Sequence, residues 1–166
     1  MDEIVNKVAQ SNLVSIDLEK FYPEGKRMVF DLKDWLFEGL ILREGDFRER
    51  VKTHDWRQYQ DAHVAINCTA DAIVPLWAFM LISSQLQPFA KTIVQGDAEK
   101  LESVLYRNFI ETHDFTQYAG KPMIIKGCSK KPVPTDAFVA FVQRAQPHVK
   151  SIMFGEPCST VPVFKK

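Results

Sequence analysis

Over residues 13–18 apolar and polar positions alternate, the two-residue period of a half-buried strand. Before it, Ile4, Val5 and Val8 share one side of a short helix predicted within residues 1–10. Tyr22-Pro23-Glu24-Gly25 is a turn signal, and residues 27–31 read as a second strand, so the N-terminal segment is expected to be a hairpin. Leu32, Trp35, Leu36 and Leu40 have helical spacing, with Gly45 ending that helix. Asp46 and Glu49 resemble a capping box for the turn that follows.

Strand and helix patterns then alternate. Residues 63–68 form a short strand, 75–88 a mostly apolar helix and 92–95 a strand. Pro75 suits a first helical turn. Residues 99–110 form a helix with Leu101, Val104, Leu105 and Phe109 on one side. A strand at 123–127, a helix at 135–146 and a strand at 151–154 follow, and residues beyond 156 form a tail holding Pro157 and Pro162.

This second stretch is written twice. Thr53, His54, Asp55, Trp56, Gln58 and Tyr59 recur as Thr112, His113, Asp114, Phe115, Gln117 and Tyr118. Gln87, Pro88, Lys91, Ile93 and Gly96 recur as Gln146, Pro147, Lys150, Ile152 and Gly155, and Cys68 recurs as Cys128. The offset is 59 residues on both flanks (113 − 54) and 60 at the cysteines (128 − 68). A period of this length indicates one duplicated supersecondary unit. Each copy reads strand, helix, strand, which makes parallel strands with a right-handed crossover. The expected fold class is α/β, a mainly parallel sheet built from two duplicated strand-helix-strand units after an N-terminal hairpin and helix. No linker or low-complexity segment interrupts it. The expectation is a single domain over 1–166: hairpin and helix at 1–45, repeat one at 46–97, repeat two at 104–156 and tail at 157–166.

Composition narrows the function classes. Lysine plus arginine balances aspartate plus glutamate at 21 each, so no net field draws the chain to nucleic acid or an anionic membrane. No apolar run reaches the roughly 18 residues of a membrane span. The acidic start, Met1-Asp2-Glu3, lacks a signal-peptide layout, and the reading is cytoplasmic. Three cysteines argue against a disulfide framework; in a reducing compartment they stay thiols, bind metal or do redox work.

The duplication puts the chemistry at one sheet edge. Cys68 and Cys128 end equivalent strands. Gly96-Asp97 and Gly155-Glu156 end the partner strands, and Cys158 follows two residues later. Ligands of open α/β sheets bind at that edge. If a pseudo-twofold sets the first strands side by side, Cys68 and Cys128 stand about 5 Å apart. Thiolates of Cys68, Cys128 and Cys158, with Asp97, Glu156 or Asp71 as a further ligand, match a zinc pattern with Zn–S bonds of about 2.3 Å. An iron–sulfur cluster usually takes four cysteines, so a second chain of a homodimer could supply the fourth. Against this, no CxxC pair is present, and free cysteine often fills core space.

His54-Asp55 and His113-Asp114 look catalytic, yet both precede strands, away from the cysteines. The aspartates suit Asx turns and the histidines helix ends, so both pairs are read as structural. Trp56, Phe115, Tyr59 and Tyr118 read as core anchors. No GxGxxG, Walker loop or GxSxG elbow is present, and no arginine lies six residues after either strand-end cysteine, where a phosphatase-type loop needs one.

Several runs carry a family resemblance. They are Asp17-Leu18-Glu19 with Phe21-Tyr22-Pro23-Glu24-Gly25, and Lys33-Asp34-Trp35-Leu36-Phe37-Glu38-Gly39-Leu40-Ile41-Leu42-Arg43-Glu44. Ile125-Lys126-Gly127-Cys128, Lys131-Pro132-Val133-Pro134 and Gly155-Glu156-Pro157-Cys158-Ser159-Thr160-Val161-Pro162 continue it. Over nearly its full length the chain resembles the uncharacterised bacterial domain-of-unknown-function family 2480. That family has no established activity. Its genes are often found beside iron–sulfur cluster assembly genes, so the resemblance implies metal, cluster or sulfur handling, with iron–sulfur assembly proteins as partners. Three functions stay open: a metal or iron–sulfur accessory protein holding zinc or a cluster, a thiol redox or sulfur-transfer enzyme, and a non-catalytic interaction module with a fold like that of anti-sigma-antagonist domains.

Overall fold

The structure is a computed structural model that describes residues 12–127 and 130–166. The helix expected within residues 1–10, and Cys128 itself, lie outside the described residues. The chain divides into two compact units. The central unit runs Glu24–Val104; the flanking unit comprises the chain up to Pro23 together with Leu105–Lys166.

In the central unit, β2 (Arg27–Asp31), β3 (His63–Asn67) and β4 (Thr92–Gln95) form a parallel sheet in the order β2-β3-β4. Between β2 and β3 comes helix α1 (Glu44–Thr53), and between β3 and β4 comes α2 (Leu76–Leu86). Phe30, Val64 and Ile66 point from the sheet into a core shared with Phe47 and Val51 of α1 and Ala78, Ile82 and Leu86 of α2. The strand-start to strand-end run of β3 is almost wholly buried, which is why it reads as continuous rather than alternating.

The flanking unit repeats this plan. Its sheet has the order β1-β5-β6-β7, from β1 (Val14–Ile16), β5 (Pro122–Ile125), β6 (Ser151–Glu156) and β7 (Ser159–Lys165). β1, β5 and β6 are mutually parallel, and β7 returns antiparallel on β6. Helix α4 (Thr135–Ala145) connects β5 to β6. Ile16, Met123, Ile125 and Ile152 build the core with Ala137, Phe141 and Ala145 of α4 and with Tyr106 and Ile110 of α3 (Ala98–Thr112). No described helix is long and apolar enough to cross a membrane.

Four expectations need correction. The first is the single sheet with neighbouring first strands. β3 lies between β2 and β4, while β5 lies between β1 and β6, so the strands preceding Cys68 and Cys128 belong to different sheets. In each sheet an earlier strand, β2 or β1, lies on the free side of the central strand. A strand-helix-strand reading has no place for that third member. The second is the N-terminal hairpin. β1 and β2 each pair in parallel with a central strand of their own sheet, not with each other.

The third is the helix over residues 32–40. Asp31 caps only a 3-10 turn, Leu32–Trp35, and Leu36 is already extended. Phe37 then donates its N–H to the carbonyl of Ile41 at 2.7 Å around Glu38 and Gly39, both in the left-handed region. That turn stops the helix. Gly45 sits instead inside α1, whose N-cap is Arg43, so Asp46 and Glu49 make no capping box. The fourth is the tail. It is the strand β7, joined to β6 by Pro157-Cys158 between the paired residues Glu156 and Ser159. Pro162 falls beside the register shift at Ile152/Met153, where a strand tolerates proline.

Candidate functional site

The carboxyl ends of the strands carry most of the residues singled out from the sequence. In the central unit, Cys68 follows β3 directly and is half-buried. Its N–H donates to Asn67 Oδ1 at 2.8 Å, and its thiol lies 3.8 Å from the carbonyl oxygen of Ala70. Asp31, ending β2, fastens the same loop. Its carboxylate accepts from the Thr69 N–H at 3.0 Å and the Thr69 hydroxyl at 2.5 Å. Burial acts to raise the Asp31 pKa, but the Thr69 hydroxyl, the Lys33 and Thr69 N–H groups and the Lys33 charge together hold it below the ordinary value. Asp97, exposed beyond β4, accepts from the Lys100 N–H at 2.8 Å and so caps α3.

In the flanking unit, Glu156 ends β6 and Cys158 sits exposed in the β6–β7 turn. Lys126 Nζ stands 3.9 Å from Glu156 Oε2. Gly127 passes so close to the Phe154 ring that a Cβ there would lie 2.2 Å from Cζ. Lys130 donates its N–H to Glu19 Oε2 at 3.0 Å. The residues on both sides of Cys128 are thus tied down by Phe154, Glu156 and Glu19. Among the described residues no group of three or more histidine, cysteine, aspartate or glutamate side chains comes together as a metal site. Cys68 and Asp97 belong to one compact unit, Cys158 and Glu156 to the other.

The two His-Asp pairs are built into structure, as their turn chemistry suggests. His54 Nε2 lies 3.0 Å from the Tyr59 hydroxyl, and His113 Nε2 lies 2.8 Å from that of Tyr118. Asp55 accepts from the Arg57 N–H at 3.1 Å and Asp114 from the Thr116 N–H at 2.9 Å. Each histidine is ringed by aromatics: Phe30, Trp35 and Trp56 around His54, Phe21, Phe109 and Phe115 around His113. Burial lowers the pKa of both imidazoles, with Asp55 and Asp114 opposing it.

Sequence reasoning left His63 without partners. It is only 3% exposed. Its Nδ1 meets the Thr92 hydroxyl at 3.0 Å and its Nε2 the Glu24 carbonyl oxygen at 2.8 Å. A carbonyl only accepts, so Nε2 carries the proton and donates. Beside it in register, Arg27 grips the nearly buried Glu102 through Nε at 2.8 Å and Nη2 at 3.2 Å. A histidine opening a strand whose next three residues are apolar is the one signal that pointed here.

Two grooves flank the sheets. One, of about 460 Å³, runs between α2 and β4 and is lined by Phe79, Met80, Ser83, Ser84, Ile93 and Gln95. The other, of about 350 Å³, lies between α4 and the β6–β7 ribbon and is mostly apolar, with Phe138, Val139, Phe154 and Val163 on its walls beside Gln143.

The description of the family Protein of unknown function (DUF2480) matches residues 2–166, and the chain belongs to that family. No curated protein and no solved structure matches the chain.

Proposed function

We propose that this chain is a thiol-bearing accessory protein of metal or iron–sulfur handling, with its ligands at the carboxyl strand ends. The supporting observation is the Lys126–Glu156 ion pair, with Nζ 3.9 Å from Oε2. Lys126 lies two residues before Cys128, and Glu156 lies two residues before Cys158. The pair draws the segment leading to Cys128 toward the turn bearing Cys158. Two soft thiolates and one hard carboxylate suit zinc, or a cluster with remaining positions filled by a partner. Glu156 is half exposed and its contact with Lys126 is long, so it is available as an oxygen donor. Cys68 and Asp97, at the carboxyl strand ends of the central unit, stay outside this ligand set. The cytoplasm, where thiols stay reduced, is the setting this reading requires.

The reading includes an origin by duplication. Each unit runs strand, 3-10 turn, helix, 3-10 turn, strand, helix, strand. Asp17 and Asp31 cap the first turn in the same way, by accepting from the N–H two residues on. The central unit would then be one copy inserted after the first strand and turn of the other.

The test is elemental and sulfide analysis of untagged protein purified without oxygen. Bound zinc, or iron with sulfide, is expected, reduced at least severalfold by Cys128→Ser and by Cys158→Ser. Protein free of all three, and not stabilised when they are supplied, contradicts the proposal.

A further inference from the structure

We propose that two copies of this chain pair through the edge strand β4, joining their central sheets across a two-fold axis. Edge strands are normally guarded by charge, proline or a bulge. β2 carries Arg27 and Asp31, and β7 carries Pro162 and Lys165. β4, Thr92-Ile93-Val94-Gln95, has neither charge nor proline, although it ends its sheet; β1 shares that composition but is only three residues long.

The backbone restricts how such a pair can form. Thr92 and Gly96 direct their N–H groups at the carbonyls of Ala62 and Ile66, in β3 and just before it. Alternation turns the peptide groups of Ile93 and Gln95 outward. Among the described residues β4 pairs with β3 alone. A two-fold axis makes the new pair antiparallel, and outward residues must meet outward residues. Centring the axis on Val94 sets Ile93 of each copy opposite Gln95 of the other and satisfies both. The same register sets Lys91 of each copy opposite Asp97 of the other. Both side chains are exposed, and their charges are complementary.

The neighbouring surface fits a second copy. α2 contains no charged residue, and its Leu76 and Met80 are 80% and 71% exposed. With Ser83 and Gln87 they form one stripe, and Met80 and Ser83 face the groove beside β4. Two-fold pairing of β4 brings the two α2 stripes together without bringing like charges together. The flanking unit provides a precedent within the chain. There β7 already lies antiparallel on β6, and Lys166 donates to the carbonyl of Lys150, the counterpart of Lys91, at 3.1 Å.

Full-length protein, half of it labelled with ¹⁵N, is mixed and treated with a zero-length carbodiimide cross-linker. A Lys91–Asp97 cross-link containing one light and one heavy peptide is expected, together with twice the 19.1 kDa chain mass by light scattering. Met80→Glu and Gln95→Pro, which removes only an outward N–H, should each weaken association about tenfold or more. A single-chain mass at high concentration overturns the proposal. So does a two-chain mass without the mixed Lys91–Asp97 link, which would put the interface elsewhere. The cross-link is read on the unmodified chain, so it decides even if a variant fails to fold.

Discussion

His63→Ala should destabilise the central unit by about 2–4 kcal/mol. The change removes a side chain that is 3% exposed, and it leaves the Glu24 carbonyl without its donor at 2.8 Å. Truncating a buried side chain to alanine costs about 2–5 kcal/mol with the cavity it leaves; Glu24 is exposed, so water can replace the lost donor and the hydrogen bond adds little. Thr92 loses its contact too, but its hydroxyl can turn to another acceptor or to water. Intrinsic fluorescence is the natural assay, because all three tryptophans, Trp35, Trp56 and Trp77, lie in the central unit. With a urea dependence of about 1–2 kcal/mol per molar, the fluorescence midpoint should fall by about 1–4 M. A shift below about 0.5 kcal/mol would refute the reasoning, because it would mean that the ring's hydrogen bonds and packing add nothing.

Gly25→Ala should cost about 1–3 kcal/mol and lower the same midpoint, since Gly25 has φ +124° and a Cβ there would sit 2.7 Å from His63 Nε2; an unchanged midpoint would show that the turn relaxes freely. Gly155→Ala should loosen the β6–β7 ribbon, because its φ is +120° and its Cβ would meet the Ser159 carbonyl oxygen at 2.5 Å. Faster amide exchange across β7 is the readout, and native-like protection would contradict it. Acid should also weaken the fold in a defined window. The folded-state pKa values of His54 and His113 lie below the ordinary 6.5, so their contribution is complete above pH 6.5 and is lost as pH falls through the folded-state values. Asparagine at both positions should flatten that part of the stability profile, and an unaltered slope would assign the acid sensitivity elsewhere.

The segments with clear periodicity were legible. Strands expected at 27–31 and 92–95 match β2 and β4 to the residue, and the helix expected at 135–146 matches α4 within one. The aspartates of the His-Asp pairs were legible for a chemical reason: a short carboxylate bonds the backbone two residues on, a local preference that needs no tertiary information. Strand partners were not legible. β1 is three residues long and pairs with β5, far along the chain, so no turn announces the match. The 3-10 turn after Asp31 reads as a helix because Leu32 and Trp35 have the spacing of either. His63 stayed unassigned because its partners, Glu24 and Thr92, come from two other segments. For the cysteines, matching places in the sequence pattern could not reveal that β3 and the strand before Cys128 belong to separate sheets.

The most direct test of the proposed thiolate site is an anaerobic titration of the reduced protein with cobalt(II), a spectroscopic stand-in for zinc, monitored for thiolate-to-metal charge-transfer absorption. The account predicts a saturable band with tetrahedral ligand-field features, lost in Cys128→Ser and in Cys158→Ser and unaffected by His54→Asn or His113→Asn. No charge-transfer band in the unmodified protein, or a band that survives both cysteine substitutions, would contradict it.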